Sequence, residues 1–213
     1  MGRQQAIVYA LILGAGLILA WIVATLQDGN PPGTAFRRGM SPPAAGPQAA
    51  AGAGSDQVQL GRLIATVPPG WFMEAPSSSM RMAQFRLPSE DPGREDAELA
   101  VFSGIGGGTR DNLNRWFGQF VQPDGSSSSD KARVETITAG DMRVTLADLT
   151  GTFTGSGMPM SQPVDKPGYR LLAAIVETVD DTYYFKLVGP ESTVGRWAGS
   201  FTTFIGNLRF TGP

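Results

Sequence analysis

The chain has 213 residues, 41% of them hydrophobic, enough for one packed domain plus an appendage. Its 17 Lys and Arg against 19 Asp and Glu leave a formal charge of -2, so there is no basic footprint for nucleic acid. His and Cys are both absent, which excludes imidazole acid–base chemistry, Cys nucleophiles, zinc sites, c-type haem attachment and disulfides.

Residues 6–26, AIVYALILGAGLILAWIVATL, carry no charge, and their length is close to the ~20 residues that cross ~30 Å of hydrocarbon as a helix. A cleavable signal would show a shorter apolar stretch and a small-x-small cleavage site, whereas this run ends VATLQDG. The segment is therefore expected to be an uncleaved transmembrane helix. The short basic stretch 1–5, with Arg3, favours a cytoplasmic N-terminus and an extracytoplasmic bulk, placing the protein in the inner (cytoplasmic) membrane as a single-pass chain. Within the run, Gly16, Ala20 and Ala24 recur every four residues, and Ala10 and Gly14 start a second row. Such rows let another helix backbone approach closely, although Gly and Ala are also common in membrane helices generally.

Residues 27–57 hold seven Ala, six Gly and five Pro and have no periodic apolar face, the composition of a linker. Phe36 and Met40 stand out from it, either as neutral isolated residues or as contacts that pin the linker to a partner.

The domain is expected over 58–213. LIATV (63–67) reads as a short strand ended by Pro68-Pro69-Gly70, after which Trp71 and Phe72 enter the core. MRMAQFRL (80–87) and ELAVFS (98–103) alternate as strands around the acidic turn SEDPGRED. Beyond GIGGGT, Leu113, Trp116, Phe117, Phe120 and Val121 fall at offsets 0, 3, 4, 7 and 8, predicting an amphipathic helix over 110–121 capped by Thr109. A loop at 122–130 leads into a hairpin, ARVETITAG and DMRVTLADLTGTF, turning near Gly140-Asp141. A second hairpin pairs YRLLAAIVETV (169–179) with TYYFKLV (182–188). Its LLAAIV run is apolar on both alternating faces, as a strand covered on both sides must be. Pro190 then opens a helix with Val194, Trp197, Ala198, Phe201, Phe204, Ile205 and Leu208 on one face. The order βββ-α-ββββ-α, joined by hairpins, predicts an α+β domain: an antiparallel sheet of about six to seven strands with one amphipathic helix on each face.

Pro69-Gly70-Trp71 after the first strand, RWFGQF closing the mid-chain helix, and GPESTVGRW opening the last helix after YYFKL resemble the PsbP-like fold family. That family includes extrinsic lumenal subunits of photosystem II and a small Ran-GTPase-binding protein of the same α-β-α shape. KPGYRLLAAIVET, YYFKLVGPE and RWFGQFVQPDG are also similar to a group of uncharacterised bacterial envelope proteins. The resemblance spans roughly residues 58–210. It implies docking on a larger assembly and carries over no catalytic residue, while the apolar N-terminal run departs from the soluble plant subunits. In a photosynthetic setting, the absence of His would leave the subunit without the usual imidazole ligand for chlorophyll magnesium.

Residues that could carry chemistry all have simpler readings. GIGGGT lacks the ending of a P-loop and the spacing of a dinucleotide fingerprint, so it reads as a strand-to-helix connection. Glu90, Asp91, Glu95, Asp96 and Glu98 do not match a calcium loop and read as a solvated turn. Asp180-Asp181 sits where a hairpin must turn. Ser126–Ser129 form a low-complexity loop, and a Ser–Lys pairing with Lys131, Lys166 or Lys186 has nothing to position it. The loop GSGMPMSQPVDKPG (155–168) is long for a compact domain. Met158 and Met160 give it either an adaptable contact surface or a cover for the core.

No cofactor, metal or catalytic residue is therefore expected. The expected function is a non-catalytic accessory subunit, anchored by one helix, whose extracytoplasmic domain docks on a larger membrane protein complex. The alternative is a membrane-tethered ligand- or peptide-binding envelope domain acting independently. A carboxylate or Ser–Lys hydrolase ranks last.

Overall fold

The computed structural model describes residues 57–155 and 165–211. The expected transmembrane helix at 6–26, nearly all of the linker and most of the 155–168 loop lie outside them. Among the described residues no helix is long and apolar enough to cross a membrane.

Strands β1 (Gln57–Leu60) and β2 (Leu63–Thr66) form a hairpin that is extended by β11 (Arg209–Phe210) into a three-stranded antiparallel sheet. The expectation that 63–67 joins the main sheet is thus corrected, and strand structure begins at Gln57, inside the expected linker. The main sheet has eight antiparallel strands rather than six or seven. Its order is β3 (Phe72–Glu74), β4 (Ala83–Leu87), β5 (Ala97–Ser103), β10 (Thr182–Pro190), β9 (Lys166–Glu177) and β8 (Met142–Phe153). β6 (Phe120–Val121) and β7 (Arg133–Ala139) both pair with the far edge of β8, at opposite ends.

Helix α1 (Thr109–Phe117) is shorter than expected, and Gly108 rather than Thr109 is its cap. The Gly118 N–H closes the last turn on the Asn114 carbonyl, so Phe120 and Val121 pass into β6. Phe120 still reaches the core, but Val121 is exposed. A one-turn helix, α2 (Ser128–Lys131), replaces part of the expected Ser-rich loop. Ser127 caps it, and the buried Ser128 hydroxyl donates to the Phe120 carbonyl while accepting from Gln122 Nε2. Helix α3 (Glu191–Gly206) follows β10 directly.

The side-chain period of two divides β9 between two cores. Leu172, Ala174 and Val176 face one core, together with Phe185 and Leu187 of β10, Trp71, the small sheet, and Val194, Phe201, Phe204 and Ile205 of α3. Leu171, Ala173 and Ile175 face the other, with Tyr184 and with Leu113, Trp116 and Phe117 of α1. The expected arrangement of one helix on each face is what the chain adopts. Trp197 is only half-buried: its Nε1 donates to the Pro88 carbonyl at 2.8 Å and its ring stacks under Arg196. Neither helix extends over β7, whose residues are exposed except the half-buried Ala139.

Two stability tests follow. Trp116→Ala should cost about 3–5 kcal/mol in denaturant unfolding, since it empties a buried site, and the half-exposed Trp197→Ala clearly less. Gly189 lies against β5 so closely that an added Cβ would sit 2.6 Å from the Ala97 Cβ and 2.7 Å from its Cα. Gly189→Ala should therefore destabilise by about 1–3 kcal/mol, and an unchanged midpoint would show that the strands can separate without strain.

Candidate functional site

β10 alternates tightly packed apolar residues with Lys186, which emerges on the α1 side of the sheet. Its cross-strand neighbours are Ala100 on β5 and Ala173 on β9, two small residues that leave room above it. The same face of β5 supplies Glu98 and Phe102, and β9 supplies Tyr169. At the end of β8 the pairing with β9 slips between Gly151 and Phe153. This bulge sets the Phe153 ring parallel to Tyr169, with centroids 5.9 Å apart, and bulges commonly re-aim side chains in this way. Gly151 itself is pressed by Gln122, whose Nε2 would lie 2.9 Å from an added Cβ.

These residues enclose a cavity of about 380 Å³, completed by Arg81, Glu95, Asp96, Gln119 and Lys166. Lys186 Nζ donates to Gln119 Oε1 at 2.5 Å and lies 5.8 Å from the Phe153 ring centroid. Burial, with the Arg81 and Arg115 cations adding to it and Glu98 opposing, pushes the Lys186 pKa down to about 8. The acids of the cavity are engaged elsewhere. Glu95 accepts from Lys166 and from the Tyr169 hydroxyl, which hold its pKa below the usual range. Burial first, and then that bond, raises the Tyr169 pKa. Asp96 accepts from the Ser89 N–H and pairs with Arg86, while Glu98 pairs with Arg81 at 2.7 Å.

A second, larger cavity of about 460 Å³ lies between α3 and strands β7–β9. Its central charges satisfy one another, because Arg170 grips Asp148 through two bonds of 2.8 and 2.7 Å. The smaller cavity, with a lysine bonded among the described residues only to a neutral amide, has more capacity to recognise something else.

The remaining sequence candidates take structural roles. In GIGGGT the buried Asn112 amide donates to the carbonyls of Gly107 and Gly108 at 3.0 Å, and the Asp111 carboxylate accepts from the Gly108 N–H. A carboxylate of the chain therefore already occupies the helix start. The acidic turn is dispersed into separate ion pairs, Glu90 with Arg196 and Asp91 with Arg94 among them. Among the described residues no three acids are gathered to hold a metal. Asp180-Asp181 makes the hairpin turn, where the Thr178 N–H and hydroxyl bond the Asp181 carbonyl. Ala10, Gly14, Gly16, Ala20, Ala24, Phe36, Met40, Met158 and Met160 all lie outside the described residues. Nothing in the sequence joins Lys186 and Gln119 as a pair; the available signal is a single cation in YYFKLV, a strand otherwise apolar on both faces.

The chain matches no family profile and no curated protein. Its fold is similar to a Pseudomonas aeruginosa protein of unknown function proposed to be a regulator, at 11% identity and a TM-score of 0.43 over 74% of this chain and 97% of that one. It is also similar to cyanobacterial PsbP from Synechocystis, at 15% identity and a TM-score of 0.42 over 79% of this chain and 99% of that one.

The depressed Lys186 pKa sets a pH test. Below pH of about 8 the folded chain carries the full penalty of a buried ammonium, and the penalty fades as pH rises toward the unfolded value of 10.5. Wild-type stability should therefore gain on that of Lys186→Met between these limits, by at most about 3 kcal/mol, in urea titrations across the window. Parallel curves for the two proteins would mean that the amine is as well solvated folded as unfolded.

Proposed function

We propose that this chain is a non-catalytic accessory subunit, held in the inner membrane by residues 6–26, whose extracytoplasmic domain docks on a larger membrane protein complex. The observation that carries the reading is the open sheet edge at β3. Phe72 is 49% and Met73 57% exposed on that strand, and Met80, in the connection that follows, is 69% exposed. Exposed large apolar side chains on and beside an edge that no further described strand pairs offer a partner contact points, and Met is especially adaptable in that role. The uncharged run, its row at Gly16, Ala20 and Ala24, and the Pro/Gly/Ala-rich linker support the same reading. The engagement of the cavity acids by fixed cations supports binding over acid–base catalysis.

A second reading, an independent tethered ligand-binding domain, is favoured by the Lys186 cavity. Gentle detergent extraction from the native membrane separates the two. The docking reading expects the full chain in an assembly well above monomer size, resistant to high-salt and carbonate washing. Met73→Asp and Met80→Asp should reduce co-purification while shifting stability by less than about 0.5 kcal/mol. Leu at Gly16, Ala20 and Ala24 should do likewise, whereas Leu at Ile12 and Ile22 should not. A monomer recovered alone, or a soluble form starting near residue 27, would sink the docking reading.

A further inference from the structure

The cavity beyond the end of α1 presents two donors, while each of its three carboxylates, Glu95, Asp96 and Glu98, is paired with another cation. Lys186 Nζ has protons to spare beyond its bond to Gln119 Oε1, and the Nε2 of the same amide makes no hydrogen bond among the described residues. Lys186 is largely withdrawn from water there, and the Arg81 and Arg115 cations act on it in the same sense as burial, with Glu98 opposing. Burying a charge without an opposite partner is costly, and bringing in an anion removes that cost. Phe102 and Phe153 form an apolar wall beside these donors, and the volume of about 380 Å³ suits a small molecule.

We propose that this cavity is a binding site for a small monocarboxylate with an aromatic or short aliphatic body. The carboxylate oxygens accept from Lys186 Nζ and Gln119 Nε2, and the body lies against Phe102 and Phe153. A carboxylate fits better than a phosphate. The two donors match two oxygens, whereas a phosphate would leave its remaining oxygens without a donor, since Arg81 is committed to Gln84 and Glu98.

The test titrates the purified full chain with phenylacetate, its neutral isostere phenylacetamide, and inorganic phosphate, by calorimetry and by the side-chain amide resonance of Gln119. Phenylacetate should bind, shift the Gln119 amide signal, and exceed phenylacetamide in affinity by at least about tenfold. Lys186→Gln should lose about tenfold and Gln119→Ala several-fold, with unfolding midpoints checked for both. Should the lysine variant fail to fold, the wild-type amide shift and the acid-to-amide ratio still decide the matter. No binding at about 10 mM, equal affinity for acid and amide, or displacement of phenylacetate by phosphate would each overturn the proposal. It stands apart from docking: a chain that assembles yet ignores phenylacetate defeats this inference alone.

Discussion

The architecture rests on the alternation of side chains along β9 and β10. A strand with only one apolar face can leave the other to water, but Leu171 to Val176 run apolar without interruption and are buried on both sides. Each large side chain so buried contributes about 1.5–3 kcal/mol, provided that something covers it. Two covers are therefore required, and α1 and α3 supply them. The α3 side holds the larger share, since the small sheet and Trp71 join the helix there, with Phe85, Phe185 and Phe204 in edge contact.

The cavity follows from the same constraint by omission. Helix α1 ends at Gly118 and leaves the end of the sheet near β5, β8 and β9 uncovered by helix. Polar and aromatic residues from six separate stretches close that corner, from Arg81 to Lys186. Lys186 stands where an apolar residue would otherwise complete the α1 face. The same position that denies it full hydration also holds it against Gln119.

Periodicity over ten or more residues was readable in the sequence: both long hairpins, both amphipathic helices and the placement of one helix per face. Short elements were not. The four residues of β2 carry no pattern that assigns them to one sheet over another, and β11 has only Arg209 and Phe210. The shortening of α1 depended on Gly118, which the apolar spacing of Phe120 and Val121 outweighed. The cavity was the least legible part, because Arg81, Gln119, Phe153 and Lys186 meet only through strand order and a bulge. Neither leaves a local trace. The sequence offers Lys186 as a formal partner for a serine, yet its neighbour is an amide contributed by the residue pair that links α1 to β6.

The uncovered strand β7 bears on how the molecule behaves at high concentration. Its sequence, RVETITA, is rich in β-branched residues, and among the described residues one flank of its backbone has no strand beside it. Such a flank is a template for edge-to-edge growth of sheets between molecules. Arg133 and Glu135 are the gatekeepers here, placing charge at one end of the strand. The other end, Thr136 to Ala139, has none. The charge that this strand offers against such growth thus rests on two side chains that contribute nothing to the core.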